Sequence, residues 1–114
     1  MVRKKCEFVC KDKYGITVYC TVVDWIHINK HQELIGKQDL IKLVIEKPDS
    51  IYKDTDYKDR RVFYKSCVLP SPIGACFLRV VIRYSNNPLR KRGWVCTAFA
   101  SENKKKGEVL IWEK

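Results

Sequence analysis

Hydrophobic spacing changes twice along the chain, and the changes divide it into elements. Up to Cys20 apolar and polar positions alternate: Phe8 and Cys10 come before a Lys13-Tyr14-Gly15 turn, and Ile16 to Cys20, with its β-branched residues and Tyr19, comes after it. Alternation is the period of a strand, so residues 4–20 read as a β-hairpin. From Thr21 the period becomes helical. Thr21 and Asp24 resemble a capping box in which a short acid replaces the usual Glu or Gln, and an apolar run follows at once. At about 100° per residue Val22, Trp25 and Ile26 fall on one side, while Asp24, His27 and His31 gather on roughly the opposite side. This predicts a helix over residues 22–31, broken at Ile35-Gly36. A second helix is predicted over residues 37–46, where Leu40, Ile41, Leu43, Val44 and Ile45 cover a broad arc and Pro48 closes the segment.

After a polar stretch from Asp49 to Asp59, with Ile51 and Tyr52 as a possible short strand, the period returns to two. Strands are predicted over Arg61–Ser66, Ala75–Tyr84, Trp94–Ala100 and Val109–Trp112, separated by the LPSPIG loop, an Asn86-Asn87-Pro88 turn and a lysine-rich connection. In the longest strand Leu78, Val80 and Ile82 point one way, and Phe77, Arg79, Val81 and Arg83 the other, so one face is core and the other carries cations. The order implies an α+β domain: an N-terminal β-hairpin and two helices packed on a mostly antiparallel sheet of about four strands. With no repeat or linker in its 114 residues, the chain is expected to be a single domain, 1–114.

Charge sharpens this picture. The formal charge is +10, from 23 Lys and Arg against 13 Asp and Glu, clustered at Arg3 to Lys5, Arg60 and Arg61, Arg90 to Arg92 and Lys104 to Lys106. Such a surface suits a polyanion, since its cations displace counterions from phosphates; simple solubility is the competing reading. Arg83, Lys65, Arg90, Lys91 and Arg92 are the candidate nucleic-acid contacts. No apolar run approaches the roughly 20 residues of a membrane span, and MVRKKCEF leads straight into alternating residues without a signal-peptide apolar region, so a cytoplasmic protein with no membrane partner is expected. In a reducing compartment the six cysteines are expected to stay free, and Cys20, Cys67, Cys76 and Cys96, each among apolar residues, read as buried thiols. A zinc site from Cys6, Cys10 and the histidine pair is a loose match to zinc spacings, and no metal or other cofactor is expected.

His27 and His31, the chain's two histidines, lie four apart, where helix neighbours can share one phosphate or one metal. Cleavage of RNA without a metal needs a group to take the 2′-hydroxyl proton, cations on the phosphate and a donor for the leaving oxygen, roles open to histidine and arginine. Arg79 and Arg83, four apart on a strand, span about 13 Å, roughly two phosphates of a nucleic-acid strand. Thr97 could offer its hydroxyl to a phosphate from a neighbouring strand. Blander readings stand beside these: solvated histidines, arginines paired with acids, a threonine chosen as a β-former. No Gly-rich phosphate loop, Gly-x-Ser-x-Gly elbow or paired catalytic carboxylate is present, which disfavours nucleotide hydrolysis and serine-hydrolase chemistry.

The succession Trp25-Ile-His27-Ile, Lys30-His31-Gln-Glu33-Leu, Pro48-Asp49-Ser-Ile51, Arg79-Val-Val-Ile, Thr97-Ala-Phe99 and Gly107-Glu-Val-Leu-Ile-Trp112 resembles the phage-associated barnase, EndoU, colicin and RelE-like nuclease families over residues 16–112. The resemblance implies a barnase/RelE-like fold and a metal-independent endoribonuclease of the toxin or effector type, acting on RNA and possessing a cognate antitoxin protein. It matches His27 and His31 to the family's helix histidines and Thr97 to its late-strand threonine; Arg79, as a further catalytic candidate, and Arg83 come from strand geometry. Gln32 departs from the pattern, where relatives commonly carry proline. A non-catalytic RNA- or DNA-binding module is the alternative.

Overall fold

A computed structural model of the chain describes residues 5–104 and 107–114. Arg3 and Lys4 of the first basic cluster, and Lys105 and Lys106 of the last, lie outside the described residues. In order the elements are β1 (Cys6–Lys11), β2 (Thr17–Thr21), α1 (Val22–Ile28), a 3-10 turn (Gln32–Leu34), α2 (Gln38–Glu46), β3 (Ser50–Lys53), β4 (Arg60–Leu69), β5 (Gly74–Tyr84), β6 (Arg92–Ser101) and β7 (Val109–Glu113).

The strands form one seven-stranded sheet in the order β1-β2-β6-β5-β4-β3-β7. This corrects the expected α+β layout of helices on a sheet of about four strands. The sheet is mixed and dominates the protein, with 47% of the described residues in strand and 18% in helix. Two pairings account for the difference. The N-terminal hairpin joins the main sheet because β2 runs parallel to β6, with Thr17, Val18 and Tyr19 opposite Arg92, Gly93 and Trp94. At the other edge the short β3 pairs antiparallel with both β4 and β7. Neither contact leaves a trace in local periodicity. Gly93, opposite Val18 in that parallel seam, also lies tight against β5 on its other side: a Cβ there would stand 2.8 Å from Ile82 Cγ2 and 3.1 Å from the Tyr84 ring.

Both helices cover one face, called here the helix face. Ile28, Leu34, Ile41, Val44 and Ile45 are fully buried against Val18, Leu78, Val80 and Ile82, which are also fully buried, and against Val95 and Ala98. Each such aliphatic contributes about 1.5–3 kcal/mol relative to exposure. α1 starts as its sequence suggests. Thr21 Oγ1 accepts from the Asp24 N–H at 3.2 Å and donates to Asp24 Oδ2 at 2.8 Å. It ends earlier than expected, at Ile28, because the Asn29 side chain and backbone N–H both donate to the Trp25 carbonyl, at 2.8 and 3.0 Å. The buried side is Trp25 and Ile28, with Ile26 exposed. His31 therefore lies beyond the helix, at the N-terminal edge of the 3-10 turn, and the four-residue helical spacing does not bring it over His27.

The connection from β6 to β7 crosses β5, β4 and β3 on the other face, called here the far face. There Lys104 Nζ stands 5.4, 5.8 and 5.4 Å from the ring centroids of Tyr52, Tyr64 and Phe77. The far face is thus not uniformly open: Val62, Tyr64 and Val81 form a second small buried cluster beneath this strap. No helix among the described residues is long and apolar enough to cross a membrane.

Candidate nucleic-acid interface

Alternation along β5 places Arg79 and Arg83 together on the far face, yet their surroundings differ. Arg79 is 7% exposed. Its Nη2 pairs with Glu108 Oε2 at 3.2 Å, its Nε donates to Tyr64 Oη at 3.2 Å, and Tyr64 Oη donates to Glu108 Oε1 at 2.6 Å. The Glu108 side chain is 1% exposed, so strap and sheet close over this pair. A guanidinium so engaged has its charge neutralised inside the protein, where a lost partner is costly.

Arg83 is exposed and lies over the Trp94 ring, 5.0 Å from its centroid. Trp94 in turn stacks on Tyr19 of β2, centroids 6.2 Å apart and planes 28° from parallel. Directly opposite Arg83 on β4 is Arg60, whose guanidinium sits 3.9 Å from the Tyr57 centroid. Like charges directly opposite each other on a sheet are destabilising. Among the described residues neither arginine forms an ion pair, and Arg60 Nε has no hydrogen-bond acceptor. Burial raises the nearby Cys96 thiol, while the positive potential of Arg60 and Arg83 acts the other way. By alternation from Trp94, Arg92 joins the same face beside Thr17. The result is a strip of two uncompensated guanidiniums, an aromatic stack and a third arginine.

Comparison with protein-family models, with curated proteins and with solved structures finds no match to this chain. The nuclease resemblance therefore rests on the residues alone, and their placement carries the argument.

The remaining candidates are distributed unevenly. Thr97 is opposite Val81 on β6, on the side that carries Phe99, and Phe99 is opposite Arg79 with the Arg79 guanidinium 5.2 Å from its ring centroid. His31 reaches the same ring from the sheet margin, centroids 5.9 Å apart. The structure thus gathers His31, Thr97 and Arg79 around Phe99. His27 is exposed on the last turn of α1. Lys65 is on the helix face, opposite Leu78, where Nζ donates to the Lys47 carbonyl at 2.9 Å just past α2 and lies 3.5 Å from Asp49. Arg90 and Lys91 are exposed in the loop between β5 and β6, and Lys91 lines a cleft of about 240 Å³ at the uncovered end of the helix face. In that cleft Tyr84 Oη donates to Asp12 Oδ2 at 2.7 Å, tying the β1–β2 turn to β5, and burial, followed by this hydrogen bond and the Asp12 charge, pushes the phenol well above its ordinary range.

Sequence reasoning passed over Trp94, Tyr19 and Glu108. Trp94 and Tyr19 meet only through the parallel β2–β6 pairing, which no local pattern announces. Glu108 is a lone acid beyond a run of lysines, and nothing in its spacing signals Arg79. Among the described residues no three His, Cys, Asp or Glu side chains are grouped to hold a metal ion, so the Cys6, Cys10 and histidine reading of a zinc site gains no support from geometry.

Proposed function

We propose that the protein binds single-stranded nucleic acid across the Arg60–Arg83 end of the far face, with RNA as the partner that its ribonuclease-like residues suggest. The observation that carries this reading is the pair of directly opposed arginines, each resting on an aromatic ring and neither neutralised by a carboxylate among the described residues. Phosphates supply the missing anions. The Tyr19–Trp94 stack supplies the flat surface on which an unpaired base can lie, an interaction worth about 1–3 kcal/mol per base and tolerant of sequence. A duplex hides its base faces, so single strands fit better.

With Arg60, Arg83 and Arg92 each meeting a phosphate, the logarithm of the affinity should fall against the logarithm of salt with a slope of about −2. Anisotropy of a labelled oligoribonucleotide across a salt series measures this. Binding that is undetectable at low ionic strength, or that ignores salt, would overturn the proposal. A second reading, RNA cleavage, is favoured by the convergence of His31 and Thr97 beside Phe99. Incubating the protein with mixed RNA in EDTA separates the two: fragments that disappear with His31→Ala indicate catalysis, and intact RNA with retained binding indicates a binding module.

A further inference from the structure

We propose that Cys67 and Cys76 form a dithiol modification site that closes into an intramolecular disulfide, stapling β4 to β5 near the tip of their hairpin. The two residues are directly opposite each other across the strands, and their sulfurs are already 3.5 Å apart. Opposed residues of an antiparallel pair have Cα atoms about 4.5–5.5 Å apart, inside the range a disulfide spans. Bond formation at about 2.05 Å then requires the sulfurs to approach by about 1.5 Å, a movement within reach of side-chain rotation.

Access and isolation both favour this pair. Cys67 is half-buried and Cys76 is 9% exposed. Both line a surface depression with Val68, Ala75 and Glu102, and Cys76 also borders a second one beside Pro72 and Ile73. The other core thiols lack such a partner in register: Cys10 is opposite Val18 and Cys20 is opposite Phe8. Burial pushes those two up to about 11 and about 12. Cys67 is also pushed up to about 11, by burial and then by the neighbouring thiol, so its attack on a disulfide is slow near neutral pH and quickens as the pH rises.

The oxidant class is a low-molecular-weight disulfide. Cys67, as thiolate, attacks one of its sulfurs and expels one thiolate, leaving a mixed disulfide on Cys67. Cys76, as thiolate, then attacks the Cys67 sulfur and expels the second thiolate. Two protein thiols lose two protons and two electrons, and the small disulfide is reduced to two thiols. From Cys76 to Arg83 is seven residues of strand, roughly 23 Å, so the staple is independent of the nucleic-acid reading.

The test is to hold the folded protein with oxidised glutathione at mildly alkaline pH, alkylate the remaining thiols and map the peptides by mass spectrometry, using a Cys6→Ser chain to remove the exposed competitor. The expected product is a Cys67–Cys76 cross-linked peptide with the other cysteines alkylated. It should raise the melting temperature by roughly 5–10 °C, reversed by dithiothreitol. Cys76→Ser should stop at a glutathione adduct on Cys67. Recovery of both Cys67 and Cys76 in alkylated form, or a cross-link that appears only in urea, overturns the proposal; mapping of the chain with both cysteines decides this even where a variant fails to fold.

Discussion

Arg79 and Arg83 sit four residues apart on one strand, point to the same face and live in opposite circumstances. Arg79 is enclosed with Glu108 and Tyr64 beneath the β6–β7 connection. Arg83 lies in the open on Trp94, facing the like charge of Arg60. The first is tied into the fold and the second is open to solvent. What separates them is the path of the chain overhead, since the crossing strap reaches one end of the strand and leaves the other uncovered. Equal charge on an equal face therefore says little about role until the neighbours are known.

The largest expected effect falls on the enclosed end. Glu108→Ala leaves the Arg79 guanidinium buried without its carboxylate and should cost about 3–5 kcal/mol of stability, read from urea unfolding. Arg79→Ala should likewise act on stability first. If either variant keeps the wild-type midpoint, the two arginines are more alike than their surroundings imply. At the open end Trp94→Ala should weaken oligonucleotide binding by about 1–3 kcal/mol through the lost stacking surface, in a chain whose circular dichroism is retained. Arg83→Ala should weaken binding by about 1 kcal/mol, roughly equally across sequences, and make the salt slope shallower by about 0.7, with little change in melting. A destabilised Arg83→Ala chain would put both arginines in the structural class.

The smallest effect sharpens the contrast from the helix face. Lys65→Ala should leave oligonucleotide affinity unchanged, because Lys65 points away from the strip and caps the end of α2. Its partner Asp49 has a carboxyl held below the ordinary range, first by the Ser66 N–H at 2.8 Å and also by Lys65. A carboxyl with its folded value depressed adds stability that is present above its unfolded pKa, about 4, and is lost as pH falls through the lower folded value. Asp49→Asn should accordingly flatten the acid limb of a stability-versus-pH curve and leave the neutral limb lower. An unaltered acid limb would remove Asp49 from the account.

Much of the candidate site was visible as residues and little of it as an arrangement. Helical periodicity places His31 on the polar side of a helix, but the Asn29 cap ends α1 at Ile28 and sends His31 to the sheet margin against Phe99. Its charge makes Lys65 a candidate for the binding surface, and the pleat turns it to the helix face. Trp94 and Tyr19, the rings stacked beside Arg83, belong to strands far apart in the chain.

Sequence alone determined the features that depend on neighbours along the chain. Thr21 and Asp24 start α1, alternation in β5 sends Leu78, Val80 and Ile82 inward and Arg83 outward, and the two helices precede the strand-rich half. These follow from a fixed number of residues per turn or per pleat, so a few positions suffice to read them. Only the tertiary structure decided the number of strands in the sheet, the parallel seam between β2 and β6, the meeting of Cys67 with Cys76 and the burial of Arg79. Each of these depends on hydrogen bonds or packing between separate elements, from the nine positions that part Cys67 from Cys76 to the long stretches of chain between β2 and β6. Backbone donors and acceptors are the same in every residue, so strand pairing carries no local signature. It is chosen by which faces can be buried together once the whole chain has folded.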